Sequence, residues 1–299
     1  MKSNQFKADL KAWANLINTH LKRILEGLNA PLGLKQSMAY SLLAGGKRIR
    51  PILCLNWAQM LGLNKEKILN FACALEFIHT YSLIHDDLPA MDDDDFRRGK
   101  PSNHKVYGEA MAILAGDALL TYSFELMLDN PIPCSFLLKA SRIVSKAAGA
   151  SGMVGGQVLD LELENKDSVN LEQVQTMHRL KTGALIEVSC LSGAILAQEV
   201  GASNKDLDKA KNYGQNIGLA FQIIDDILDV IGDEKKLGKP IGSDIKQGKS
   251  TYPTLIGLEQ SYDLAQQSIN QALECLDDYR GQEKDFLQNL AQYIITRAH

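Results

Sequence analysis

Residues 221–229 read FQIIDDILD. At about 100° per residue, Asp225 and Asp229 lie one turn apart on one face of a helix, with Asp226 to the side. Ile223, Ile224, Ile227 and Leu228 fill the remaining positions. Carboxylates are almost never buried unless paired or coordinated, so three of them in an apolar helix imply a cavity that holds cations. The helical reading extends outward. The chain has 8 prolines and 6% aromatic residues, and its long stretches show helical rather than alternating periodicity, which predicts an all-α fold.

A second acidic stretch stands upstream. Residues 85–101 read HDDLPAMDDDDFRRGKP, with Asp86, Asp87, Asp92, Asp93, Asp94 and Asp95 beside Arg97, Arg98 and Lys100. Two bare carboxylates about 4 Å apart repel by roughly 1 kcal/mol in water, and more near a protein wall. Taken alone, the stretch could be a solvated acidic loop. Residues 75–84 before it are largely apolar and helix-like, and Pro89 must break that helix near Leu88. The detour through residues 88–91 can then return Asp92 toward Asp86. Oxygen-only ligands suit Mg²⁺, with Mn²⁺ as the alternative, and Mg²⁺ shares itself between carboxylates and substrate phosphates. Two aspartate sites with nearby bases therefore read as a diphosphate trap.

Composition narrows the classes. The 299 residues allow one large domain or two small ones, and no compositional boundary divides them; the chain is read as one domain, 1–299. A net charge of −4 offers no basic surface for nucleic acid. Cys54, Cys73, Cys134, Cys190 and Cys275 are scattered and lack a C-x-x-C spacing, which predicts neither disulfides nor zinc and fits a reducing cytoplasm. Residues 2–11 carry Lys2, Lys7, Asp9 and Lys11 and do not read as a secretory leader. No uninterrupted run approaches the roughly 20 apolar residues of a membrane span, so a soluble protein is expected.

Helices are expected over 6–27, 35–43, 52–61, from Asn64 to the first aspartates, and over 107–128, 137–148 and 171–180. Further ones run from Ser203 or Asn204 to near Gly232, and over 261–279 and 283–296. Gly45-Gly46 releases the chain into Lys47, Arg48 and Arg50, three bases behind a glycine pair that let the backbone approach an anion. The glycine-rich bend at 149–156 reads as close helix packing leading into Gln157 and Asp160. Gly183, inside a helical pattern after Lys181 and Thr182, is expected to loosen the backbone and free carbonyls toward a cavity. His85 reads as structural.

These stretches together resemble the trans-isoprenyl diphosphate synthases, and within them the bacterial farnesyl diphosphate synthases. Asp86-Asp87 with Asp92 and Arg97-Arg98-Gly99 is similar to the family's first aspartate-rich motif in its form with two extra residues, and Asp225-Asp226-Ile227-Leu228-Asp229 to the second. GGKRIRP at 45–51, Gly155-Gly156-Gln157, Lys181-Thr182-Gly183 and Gly238-Lys239 stand in the expected order, so the resemblance covers nearly the whole chain.

The resemblance implies an isoprenoid-synthase helical bundle around a central cavity, acting as a homodimer. The implied reaction is condensation of isopentenyl diphosphate with dimethylallyl and then geranyl diphosphate to give farnesyl diphosphate. Metal ligands would be Asp86, Asp92, Asp225 and Asp229, with Asp87 in the catalytic cluster. Arg97, Lys181, Lys239 and Lys249 would hold the allylic diphosphate. Lys47, Arg50, His79 and Arg98 would hold isopentenyl diphosphate, with Arg297 reaching that site. Carbonyls near Lys181 and Thr182 and the side chain of Gln222 would face the allylic cation, and Tyr81 would limit product length. The rivals are a geranylgeranyl diphosphate synthase, a terpene cyclase, a His-Asp phosphohydrolase using His85-Asp86, and a non-catalytic prenyl-synthase subunit. A subunit of that last kind is expected to have lost one motif, and both are present.

Overall fold

The computed structural model describes residues 2–164, 166, 168–231 and 250–297, with side chains from residue 5 onward. Its helices are α1 (Lys2–Gly27), α2 (Leu32–Leu42), α3 (Ile49–Met60), α4 (Leu69–Asp86), α5 (Asn103–Tyr107), α6 (Glu109–Leu128), α7 (Cys134–Ala148) and α8 (Met153–Glu164). After these come α9 (Leu171–His178), α10 (Ala184–Leu196), α11 (Asn204–Ile231), α12 (Tyr252–Ile256), α13 (Leu258–Glu274) and α14 (Gln282–Thr296). The all-α expectation holds, with one small exception. A hairpin pairs β1 (Phe96–Arg97) antiparallel with β2 (Lys100–Pro101). Arg98 and Gly99 both have positive φ, 55° and 74°, as a two-residue primed turn requires. The chain divides into two compact units, one of residues 1–55 and 64–141 and one of residues 56–63 and 142–299.

In the first unit α4 is the central helix. It is apolar on nearly every side, as a helix surrounded by others must be, and it packs along α6 and against α1 and α2. Gly116 of α6 makes the close approach possible, because a Cβ there would lie 2.1 Å from His85 Nε2. The His85 ring instead donates to the Ile113 carbonyl at 3.1 Å and stacks edge-on to Tyr81, the structural role expected of it. Asn103 ties α5 to α2 through Ser37 and Ser41. Gly108, at φ 81°, splits the expected 107–128 helix into α5 and α6. A positive φ of this kind is available to Gly at little cost, and a hydrophobic pattern does not report it.

In the second unit α11, 28 residues long, packs along α10 and α13. Ser203 and Asp206 cap its first turn reciprocally. Trp57 is fully buried between Tyr213 and Tyr279, edge-on to both. The capping box of Asn170 with Gln173 starts α9 where expected. That helix ends at His178 rather than Leu180, because residues Arg179–Gly183 form a π turn. The loosening expected at Gly183 thus takes a definite form, a wide turn of the kind often found at functional sites.

One expectation needs correcting on length. Glu109–Leu128 and the stretch Leu171–Val200 are each long and apolar enough to cross a membrane, although neither is an uninterrupted apolar run. The second is mostly buried in the structure; less than half of the first is.

Candidate active site

The first unit holds the first aspartate stretch at the C-terminal end of α4. The helix stops at Asp86, one turn short of Pro89, and the chain then folds back on itself: Asp92 N–H donates to the Asp86 carbonyl at 2.9 Å. Asp93 N–H donates to Leu88 O at 3.2 Å, with Asp93 at φ 49°. The return of Asp92 to Asp86 is therefore backbone-enforced. Asp86 and Asp92 stay half-exposed, whereas Asp87 is buried and paired with Arg97 Nε at 2.6 Å. Burial, more than the opposing Arg97, sets the Asp87 carboxyl, which is pushed up to about 6. Arg97 also reaches Asp94 at 3.6 Å, so both side chains are already engaged: Asp87 serves as the anchor of Arg97.

The three bases behind Gly45-Gly46 do not act alike. Lys47 is exposed, but Arg48 turns inward. Its guanidinium donates to Glu76 Oε1 at 2.6 Å, to Asn18 Oδ1 at 2.8 Å and to the Leu42 carbonyl at 2.7 Å. Arg48 therefore leaves the expected anion site and belongs to the core. Arg50 stays beside Arg98 and His79, and burial pulls its pKa down to about 10 against the opposing charge of Glu76. His79 is held well below its ordinary value by burial first and then by Arg50, Arg98, Arg97 and Arg48, so its ring is neutral. Arg50 Nε is buried without a hydrogen-bond partner, and Arg98 donates to the Gly45 carbonyl. Among the described residues neither guanidinium is in a salt bridge with a carboxylate. The partially desolvated Arg50 is costly unless an anion completes it, which is what a diphosphate does, and the more exposed Arg98 stands beside it. Tyr81, one and a half turns before Asp86, is buried, and burial and the Asp86 charge push its hydroxyl up to about 12.

The second unit builds a site of its own from α8, the π turn, α11 and residues up to Arg297. A cavity of about 260 Å³ is lined by Asp160, His178, Lys181, Gln222, Asp225, Asp226, Asp229 and Arg297, among others. Gly156 lets α8 press directly onto the π turn; a Cβ there would stand 2.1 Å from Lys181 N. Asp160, one turn further along α8, then meets Lys181 Nζ at 2.6 Å. The close packing read from the glycines is confirmed. Asp226 is not merely to the side of its neighbours: it is buried, lines the same cavity and accepts the Tyr252 N–H at 3.0 Å, capping α12. His178, which the sequence reading passed over, lies 4.0 Å from Asp226 and tilts over Tyr252. Arg297, expected at the isopentenyl site, pairs with Asp225 at 2.9 Å and stacks on Phe221. Thr182 does not line this cavity, while Gln222 also borders a second one of about 550 Å³ beside Gly183 and Gly218. Lys239 and Lys249 lie outside the described residues.

The donor set fits a hard divalent cation. Asp225, Asp226 and Asp229 offer only carboxylate oxygen to one cavity. Among the described residues no three ligating groups converge as a ready-made cage. An ion that takes its remaining ligands from water and phosphate needs no such cage.

The sequence profile of the polyprenyl synthetase family matches residues 32–291. The chain belongs to the polyprenyl synthetase family. It is 52% identical over 246 residues to a geranylgeranyl diphosphate synthase of Cyanophora paradoxa, covering 82% of this chain and 81% of that one. It is 51% identical over 245 residues to a farnesyl diphosphate synthase of Geobacillus stearothermophilus, covering 81% of each chain. A solved structure titled geranylgeranyl pyrophosphate synthetase from Pyrococcus horikoshii superposes with TM-score 0.89 at 32% identity, covering 99% of both chains. This member of the polyprenyl synthetase family is thus a prenyltransferase that builds isoprenoid chains, with the all-α fold of its relatives.

Proposed function

We propose that this prenyltransferase joins isopentenyl diphosphate to dimethylallyl and then geranyl diphosphate, and that farnesyl diphosphate is its main product. The observation that carries the two-substrate reading is Arg50, whose buried Nε has no hydrogen-bond partner, grouped with His79 and the more exposed Arg98, neither guanidinium being in a salt bridge with a carboxylate among the described residues. A cyclase or a hydrolase has one diphosphate to bind and leaves that cluster without a purpose. In our reading Lys47, Arg50, His79 and Arg98 hold isopentenyl diphosphate. Asp86, Asp92, Asp225 and Asp229, assisted by Asp226, would hold Mg²⁺ or Mn²⁺, which when bound neutralises the departing pyrophosphate.

The chain's own side chains do the rest. Arg97, Lys181, Lys239 and Lys249 stabilise the leaving diphosphate, and Asp87 and Asp160 orient Arg97 and Lys181 through their pairs at 2.6 Å. Carbonyls of the π turn, with Gln222, favour positive charge on the allylic carbon as it develops. The alkene then attacks that carbon before water can, which is a matter of position, and the released pyrophosphate takes the proton whose loss restores a double bond. Residues 1–299 work as one prenyltransferase domain in the cytoplasm, without nucleic acid and without a membrane span. The exposed Ile113, Leu114 and Leu128 on α6 support a homodimer.

Geranylgeranyl diphosphate is the second reading, favoured by the similarity to the Cyanophora enzyme. Incubation with dimethylallyl and excess isopentenyl diphosphate, then dephosphorylation and chromatography, separates the two. Farnesol supports the main reading; geranylgeraniol replaces it with the second; neither alcohol overturns both.

A further inference from the structure

The loop that carries Lys47 and leads to Arg50 is held by a group that no substrate can reach. The Arg48 side chain is fully buried and Glu76 is 2% exposed, 2.6 Å apart, with Asn18 and the Leu42 carbonyl completing the Arg48 fork. Arg48 itself has φ 54°, a conformation that a bulky residue rarely adopts, and its carbonyl accepts the Ile52 N–H to open α3. Strained backbone of this kind persists only where its surroundings over-determine it. The same loop also seats Arg98: its guanidinium donates to Gly45 O and lies so close over Gly46 that a Cβ there would stand 2.9 Å from Cζ. One buried pair therefore sits under Arg50, which rides the first turn of α3, and under the Gly45-Gly46 seat of Arg98.

We propose that Arg48 and Glu76 form a positioning pair that sets the spacing of the Arg50 and Arg98 guanidinium groups, and through it the affinity for the isopentenyl diphosphate. This rests on the assignment of that diphosphate to Arg50 and Arg98. The pair touches no reacting atom and has no direct bearing on the allylic end.

Electrostatics and positioning predict opposite signs. Glu76 is the negative charge that acts on Arg50 and Arg98 alike. If it acted only as a charge, Glu76→Gln would remove repulsion of a diphosphate and tighten it. If it positions, Glu76→Gln loosens Arg48 and weakens binding. The test is steady-state kinetics of the purified full chain with both substrates, beside calorimetry with inorganic pyrophosphate and thermal melts. Glu76→Gln and Arg48→Lys are each expected to raise KM for isopentenyl diphosphate about tenfold or more, with KM for geranyl diphosphate within about twofold. The double variant Arg48→Met/Glu76→Leu buries no charge, so it is expected to regain thermal stability without regaining that KM. A lower KM in Glu76→Gln, equal rises for both substrates, or a KM that recovers with stability in the double variant would each overturn the proposal. A wild-type protein that ignores isopentenyl diphosphate but binds pyrophosphate would instead overturn the functional reading, leaving the pair to be judged on pyrophosphate affinity in the same variants.

Discussion

Gly156→Ala tests how tightly the site in the second unit is built. The new Cβ would stand 2.1 Å from Lys181 N, 2.5 Å from its Cα and 2.7 Å from Leu180 C. Ordinary contact begins near 3.4 Å, so α8 and the π turn must separate by about 1.3 Å. Every atom in the way is backbone, so no side chain can swing aside. Overpacking of this kind costs about 1–3 kcal/mol. At roughly 2–4 °C per kcal/mol for a chain of this class, the melting temperature should fall by several degrees. The functional loss should be larger than the stability loss. The same displacement pulls Asp160 from Lys181, now 2.6 Å apart, and a misplacement of about 1 Å can cost 100-fold in turnover. Differential scanning fluorimetry and initial rates with geranyl diphosphate are the assays, with Gly27→Ala as control because nothing lies within 4 Å of its Cβ position. A Gly156→Ala protein that melts and turns over like the wild type would refute the packing argument.

Asp86→Ala and Asp225→Ala should each lower turnover roughly 100-fold or more at saturating Mg²⁺, and near-normal rates would rule out the metal assignment. Asp86→Ala should not lower the melting temperature of the substrate-free protein, because it relieves a crowded acidic stretch, whereas Asp225→Ala should lower it slightly, because Arg297 is left without its partner at 2.9 Å. Arg98→Ala should chiefly raise KM for isopentenyl diphosphate and Arg97→Ala that for the allylic substrate, each by the 1.5–3 kcal/mol of about one charge-assisted hydrogen bond, and equal effects would end that division. Tyr81→Ala should lengthen the product toward geranylgeranyl diphosphate and Ser82→Phe should shorten it; an unchanged farnesol peak from folded, active Tyr81→Ala protein removes Tyr81 as the stop. The Asp278 carboxyl is held down to about 2 by Lys205 and Lys209, below its ordinary 3.8. A depressed folded pKa contributes stability above about pH 4 that is lost as pH falls toward 2, so Asp278→Asn should flatten that part of a melting-temperature profile.

The helices and both acidic stretches could be read from spacing, because carboxylates in apolar helices and a proline after an aspartate pair have few physical solutions. The loosening at Gly183 was readable for the same reason. What the sequence hid was direction. Lys47, Arg48 and Arg50 are alike on paper, yet a positive φ at Arg48 sends its side chain into the core toward Glu76, a partner 28 positions away. Periodicity placed Asp226 beside the others, but its burial depends on the Tyr252 N–H arriving from a distant helix. His178 gave no signal, since a lone histidine at a helix end is ordinary. Gly108 and the Arg98-Gly99 turn were missed because φ is not written in hydrophobicity.

Condensation requires both diphosphates to act together, and stoichiometry measures that directly. With enzyme in excess over geranyl diphosphate and Mg²⁺ present, pyrophosphate and the chain-extended product should appear one for one, and only when isopentenyl diphosphate is added. Pyrophosphate released at the same rate without isopentenyl diphosphate, with the geranyl chain hydrolysed or cyclised, would contradict the account.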